Sequence, residues 1–370
     1  MSALFSEFGL GPLKFRNRIV IAPMCQYSAH EGCATSWHLI HLGNLALSGA
    51  ALLIIEATAV TPEGRISPDD LGLWSDANED ALARVLSEVR RYSEMPIAIQ
   101  LAHAGRKAST RVPWDGGKQI QPSESGGWQA VAPSAVPFSE GEVPPIALDR
   151  NGLTAIRTAF ADAATRCARL GLDAIQMHAA HGYLLHEFLS PLSNLRDDEY
   201  GGSLQNRMRF PLEVFDAVRQ AFPRERPVSV RVSGTDWADG GWDIDQTVVF
   251  AKALEERGCS AIHVSGGGLT PKQRIPIGPG YQVPLARAVK SATSVPTIAV
   301  GLITSYEHAE AIIANGDADF VALARGMLYD PRWPWHAAAH LGASVSAPKQ
   351  YLRSQPSRYP HLFIRSDQRH

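Results

Sequence analysis

Eight short apolar runs recur along the 370-residue chain, and most are followed by a helical pattern. They are IVIAPM from Ile19, ALLIIEATAV from Ala51, PIAIQLAHAG from Pro96, AIQMHAAH from Ala174, VSVRVSG from Val228, AIHVSGGG from Ala261, TIAVGLI from Thr297 and FVALAR from Phe320. Strands that are apolar at nearly every position belong to a parallel sheet covered on both faces. The segments between them carry apolar residues at helical spacing. Leu82, Val85, Leu86 and Val89 share one face, as do Ile156, Phe160, Ala164, Cys167 and Leu170. Ala309, Ile312 and Ile313 repeat the pattern ahead of Asn315-Gly316, a helix stop. This repetition predicts an α/β fold of the closed (β/α)8 type, the TIM barrel. A doubly wound sheet is the alternative, but no G-x-G-x-x-G follows the first strand.

Residues beyond a minimal barrel concentrate at about 106–149, after the third strand, in a stretch rich in Gly, Pro, Ser and Trp. A loop of this length is usually a lid or another functional excursion, and WQAVAPSAVP within it predicts a small β-hairpin. The expectation is a single domain over 1–370, with a barrel core at about 17–340 and a C-terminal tail at about 345–370. With 35 basic against 37 acidic residues and no block of like charge, the chain offers no surface for nucleic acid or membrane. It has no signal-peptide core and no membrane-length apolar run, and Cys25, Cys33, Cys167 and Cys259 form no C-x-x-C pair. These features predict a cytoplasmic protein in a reducing compartment, without a zinc ribbon or iron–sulfur motif.

Barrel active sites lie at the C-terminal ends of the strands. Here those ends read Ala22-Pro23-Met24-Cys25-Gln26-Tyr27, Glu56-Ala57-Thr58, Gln100 with His103 and Arg106-Lys107, His178-Ala-Ala-His181-Gly-Tyr183, Arg231, Ser265-Gly266-Gly267-Gly268, Gly301 and Arg325. Glycines and cations gather late, which fits an anionic, phosphorylated ligand. Gly266 to Gly268 and Gly301 would let backbone N–H groups approach a phosphate that Arg325 neutralises. Strand alternation would send His178 and His181 to opposite faces, so the chain must turn after His178 for both to point inward. Three readings of the pair stay open from the residues alone. With His103 they offer ligands to a metal, as in a barrel hydrolase. They are a buried structural pair. Or they are two N–H donors aimed at an oxygen that gains negative charge, with Tyr183 as a nearby acid. The third is favoured and no metal is expected, because no Asp or Cys clusters at the strand ends to complete a ligand shell.

APMCQY, QLAHAGRK, HAAHGYLLHEFLSP followed by NLRDDEYGGSLQNRMRF, and PGYQV resemble the old yellow enzymes, FMN-dependent ene-reductases on a (β/α)8 barrel. The resemblance runs from about Phe5 to Gln355 and is nearest to the thermophilic-like branch, which includes xenobiotic reductases and carries Cys after the Pro-Met of strand one. It implies FMN as cofactor and NADPH or NADH as reductant, acting in the same pocket before the substrate enters. It implies that Ala22, Pro23, Met24 and Cys25 line the flavin, with Cys25 tuning its potential, and that Ala57 and Gln100 contact the pyrimidine edge. Lys107 would lie near the flavin edge, Arg231 would neutralise charge near N1–C2=O, and Gly301, Ala324 and Arg325 would hold the phosphate. The implied substrates are α,β-unsaturated carbonyl compounds, and nitro compounds. His178 and His181 would bind the substrate oxygen and Tyr27 would border it. Tyr183 would deliver a proton to Cα after hydride leaves flavin N5 for Cβ.

Ala324 stands where many relatives have Gly, and Leu302 and Leu352 where some have Trp. Tyr351 and Arg353 match a tail that in this branch reaches a neighbouring subunit's site, so a homodimer or homotetramer is expected. The dienoyl-CoA reductases share this barrel but carry a cysteine cluster that these four cysteines do not form. A flavin-binding redox sensor without turnover would have no need of Tyr183.

Overall fold

The computed structural model describes residues 2–365. Its barrel strands are β1 (Ile19–Ile21), β2 (Leu52–Ala59), β3 (Ile97–Ala102), β4 (Ala174–Ala179), β5 (Val228–Ser233), β6 (Ile262–Ser265), β7 (Thr297–Ala299) and β8 (Phe320–Leu323). Each pairs in parallel with its neighbours in sequence order, and β8 returns to β1 to close the barrel. All residues of these strands are buried, as near-continuous apolar runs require.

The helices are α1 (Ser36–Ala46), α2 (Asp76–Arg90), α3 (Arg150–Arg169), α4 (Leu184–Leu189), α5 (Leu204–Ala221), α6 (Ile244–Glu256), α7 (Val283–Ala292), α8 (Tyr306–Ala314), α9 (Arg325–Tyr329) and α10 (Trp333–Leu341). α2 starts at Ser75, whose hydroxyl accepts the Asn78 N–H, and buries Leu82, Val85, Leu86 and Val89. α3 turns Ile156, Phe160, Ala164 and Cys167 inward, while Leu170 caps it half-buried. Burying each such side chain contributes roughly 1.5–3 kcal/mol, so the outer face of the barrel and these helical stripes form the main core.

The other end of the barrel is plugged. An antiparallel hairpin, Phe8–Leu10 with Leu13–Phe15, turns through Gly11 at φ +58°. It seats Leu10 and Phe15 against Val20, Leu52, Ala98, Ala174, Ala261, Ile298 and Phe320 inside the barrel. The Phe8 and Phe15 rings meet the Phe320 ring edge-on at centroid distances of 5.0 and 5.5 Å. That apolar plug closes the N-terminal ends of the strands and leaves polar side chains for the opposite mouth.

Two local expectations change. WQAVAPSAVP forms no hairpin; Val131–Ala132 instead pairs in parallel with Ile146–Ala147, because the chain loops out between them before returning in the same direction. The excursion is pinned by Trp128, whose indole N–H donates to Glu63 O at 2.8 Å. The tail also gains order, with Val345–Ala347 pairing in parallel with Phe363–Arg365. It packs beside Gly49, where a Cβ would lie 2.7 Å from Ser346 O, at the N-terminal end of β2. Among the described residues, no helix is long and apolar enough to cross a membrane.

Candidate active site

The floor of the mouth is a ladder of amides. Gln100 Nε2 donates to Gln176 Oε1 at 2.8 Å, and Gln176 Nε2 lies 3.3 Å from His263 Nδ1. One layer above, strand register sets His178 and His263 on either side of Arg231. Arg231 is buried, which pulls its pKa down to about 10. Among the described residues its Nε has no hydrogen-bond partner, and neither has His178 Nδ1. A buried guanidinium without a countercharge is expensive, so this layer is built to meet an anionic or oxygen-rich ligand.

The β4 end resolves the alternation problem. After Ala179 the chain turns through His181 at φ +59°, and Ser233 Oγ accepts the His181 N–H at 2.9 Å. The turn brings the His178 ring edge-on to the His181 and Tyr183 rings, at 5.2 and 4.9 Å. Burial, with Arg231 next, holds His178 and His181 well below the usual imidazole pKa. Burial, with Cys25 and Tyr27 next, holds the Tyr183 phenol well above its usual value. Two neutral imidazoles and a protonated phenol therefore share one corner.

Ser265 Oγ lies 2.7 Å from His181 Nε2 and 3.2 Å from Gln282 Oε1. Lys107 Nζ donates to His181 O at 2.9 Å and Gly268 O at 3.0 Å, and lies 5.0 Å from the Tyr183 ring centroid. Burial lowers its pKa to about 8.

The β1 end supplies the facing wall. Ala22 is buried and its N–H donates to Leu323 O at 3.0 Å, while Pro23, Met24, Cys25 and Tyr27 are half-buried. Cys25 and Tyr27 are in side-chain hydrogen-bond contact, and burial raises both pKa values, so both stay protonated. Trp114, from the excursion, meets the Tyr27 ring edge-on at 5.7 Å. Ala57 is buried beside a β2 bulge that shifts register between Ile55 and Ala57. The bulge aims Glu56 at β1: Oε2 accepts the Gln26 N–H at 2.8 Å, and Oε1 lies 3.3 Å from His38 Nε2.

The last strand ends provide the cationic side. Gly301 adopts φ +123°, where a Cβ would lie 2.8 Å from Gln282 Nε2. Ala324 precedes α9, whose first residue, Arg325, is exposed and has no ion pair among the described residues. For Gly267 and Gly268 the expectation of free N–H groups is corrected. The Gly267 N–H is spent on Thr235 O and the Gly268 N–H on Gln273 Oε1. Gly268 is needed instead because a Cβ there would lie 2.6 Å from His181 Cα.

His103 does not join the histidine pair. It is buried, its Nδ1 accepts the Gly105 N–H at 3.1 Å, and burial lowers its pKa to about 4. Among the described residues, no three His, Cys, Asp or Glu side chains gather as metal ligands. Sequence reasoning missed Gln282, His263, His186 and Asp236. Gln282 and His186 were within reach, since they sit in PGYQV and HAAHGYLLHEFLSP.

An orphan cation over an amide floor, a glycine and arginine at the late strand ends, and neutral donors opposite fit FMN. Fold and mouth together define a barrel oxidoreductase that carries a phosphorylated cofactor. Residues 3–343 match the model of the NADH:flavin oxidoreductase / NADH oxidase family. Over 354 residues the chain is 43% identical to an NADPH dehydrogenase of Geobacillus thermodenitrificans, covering 95% of this chain and 98% of that one. It is 42% identical to an NADH:flavin oxidoreductase of Gibberella zeae, covering 94% and 88%. Among solved structures, morphinone reductase is similar at 28% identity, TM-score 0.76, covering 98% of this chain and 96% of that one. The chain belongs to the NADH:flavin oxidoreductase / NADH oxidase family, the family of the old yellow enzymes. It is an NAD(P)H-dependent flavin oxidoreductase with FMN as cofactor.

Proposed function

We propose that this enzyme reduces the activated C=C bond of α,β-unsaturated carbonyl compounds, and also acts on nitro compounds, with Tyr183 as the proton donor. The observation that carries the proposal is the grouping of a protonated phenol with two uncharged imidazoles, 4.9 and 5.2 Å apart as ring centroids. When bound, FMN that NADPH or NADH has reduced supplies hydride to Cβ. Charge then develops on the substrate oxygen, where N–H bonds from His178 and His181 lower the barrier. Tyr183 keeps its proton until Cα takes it, and the nearby Lys107 ammonium favours the phenolate left behind.

The remaining residues bind and orient. Ala22, Pro23, Met24 and Cys25 would form the wall against the flavin, Ala57 and Gln100 would meet its pyrimidine edge, and Arg231 would meet its anionic side. Gly301, Ala324 and Arg325 would hold the phosphate, Lys107 would lie near the flavin edge, and Tyr27 would border the substrate. The tail packs at the far end of the barrel, so Arg353 would act in a neighbouring copy of a homodimer or homotetramer. Holoenzyme incubated anaerobically with NADPH and 2-cyclohexenone should yield cyclohexanone. NADPH oxidation that leaves the enone intact would overturn the proposal.

A further inference from the structure

Behind the β4 turn lies a histidine–carboxylate pair that the reaction itself does not use. α4 buries all six of its residues, although His186 and Glu187 are among them. His186 Nδ1 accepts the Gly182 N–H at 2.9 Å, so the ring proton sits on Nε2. Nε2 stands 2.9 Å from Asp236 Oδ1 in a pair with no exposed side-chain surface. Among the described residues this close approach is all that meets either atom, and neither makes an aligned hydrogen bond. Asp236 is anchored through its second oxygen, which accepts Ser190 O–H at 2.6 Å and Trp242 N–H at 2.7 Å.

What the pair grips is the link between His181 and Tyr183. Gly182 lies at φ +74°, and a Cβ there would come within 2.2 Å of Gly268 O. The residue joining two functional side chains therefore has no side chain of its own to anchor it, and its N–H is the handle. We infer that the Asp236–His186 pair is a positioning device: Asp236 selects the Nε2–H tautomer of His186, which leaves Nδ1 to hold Gly182 and so aims His181 and Tyr183. The inference rests on the substrate roles proposed above for His178, His181 and Tyr183.

A purely structural pair and a tautomer selector respond differently to Asp236→Asn. The Trp242 N–H demands the amide oxygen, so the amide NH2 must face His186 Nε2. That nitrogen then has to accept, the ring proton moves to Nδ1, and two donors oppose each other at Gly182. His186→Asn places an acceptor oxygen near the Nδ1 position and does not reach residue 236. It therefore holds Gly182 whichever residue Asp236 has become.

The test uses holoenzymes with stoichiometric FMN and 4-chlorophenol, whose oxygen stands in for an enolate, titrated by the change in flavin absorbance. Asp236→Asn should weaken phenol binding and raise the 2-cyclohexenone KM by about tenfold, the scale of one lost hydrogen bond to a charged group. His186→Asn should stay within about threefold of wild type, and the double variant should follow His186→Asn. The 15N shifts of His186 should report Nε2–H in wild type and Nδ1–H in Asp236→Asn. Wild-type binding in Asp236→Asn, or a double variant as weak as Asp236→Asn, overturns the inference. If Asp236→Asn does not fold, His186→Leu replaces it: Leu should lose about tenfold where Asn does not, and equal losses overturn the inference. His178→Ala is the control. If it leaves phenol binding intact, the proposed substrate site has failed. If it weakens binding while Asp236→Asn does not, only the positioning role has failed.

Discussion

Burial acts alike on Tyr183, His178 and His181: it disfavours the charged form of each, so the phenol keeps its proton and the imidazoles stay neutral. Donors of this kind cost little to hold in an enclosed corner and gain strength when an enolate forms between them. His178→Ala and His181→Ala should each weaken binding of the phenolate probe by about 1.5–3 kcal/mol, the cost of a lost hydrogen bond to a charged partner. Titration of each holoenzyme with the phenol probe measures it, and unchanged affinity in both would remove their substrate role. These residues were legible as a motif, since the two histidines and the tyrosine stand within six residues of one strand end. Ser265, the partner of His181, and Gln282, which accepts the Ser265 hydroxyl, were not legible as partners. Their contacts join β6, α7 and β4, which no local pattern reveals.

At the level of elements, α4 braces two loops at once. His186 holds the β4 turn, and Glu187 Oε1 accepts the Arg106 N–H at 2.8 Å behind the β3 loop. Gly105 sits in that loop at φ +61°, where a Cβ would lie 2.1 Å from Glu187 Oε1. Gly105→Ala should lower stability by about 2 kcal/mol or more, through both left-handed strain and displacement of Glu187. A denaturant midpoint equal to wild type would contradict this. The helices and strands around these loops follow from apolar period and caps, so all eight barrel strands could be read in advance. The Phe8–Phe15 hairpin could not, because strands of three residues are too short to show alternation. The β2 bulge at Glu56 is likewise set by pairing with β3, not by the local run Leu52–Ala59. Gly267 and Gly268 were misread for a related reason: a glycine's position at a strand end does not say whether its N–H is already spent.

Across the whole molecule, enclosed titratable groups set how stability varies with pH. His41 and His103 are held at about 4, and His178, His181 and His263 well below 6.5, all chiefly by burial. The unfolded chain protonates such imidazoles near 6.5, before the fold does, so acid favours unfolding in the window from about 6.5 down to 4. Asp70 and Glu187 oppose this, since burial raises them to about 7 and about 8 and the fold retains protons that the unfolded chain has released. Their contribution is present at low pH and lost as pH rises through those values. Five histidines outweigh two carboxylates, so the thermal midpoint should fall between pH 6.5 and 4.5. A midpoint that rises over that interval would show that the imidazoles are not held neutral.

The central claim is that this barrel mouth protonates an alkene through Tyr183. The most direct measurement is anaerobic single turnover: holoenzyme reduced with one equivalent of NADPH, then mixed with 2-cyclohexenone, in wild type and Tyr183→Phe. Flavin reduction by NADPH should proceed in both, while enone-driven reoxidation should slow by about a hundredfold or more in Tyr183→Phe, the usual scale of a lost general acid. Equal reoxidation rates would mean that the proton reaches Cα by another route and that Tyr183 is not the donor.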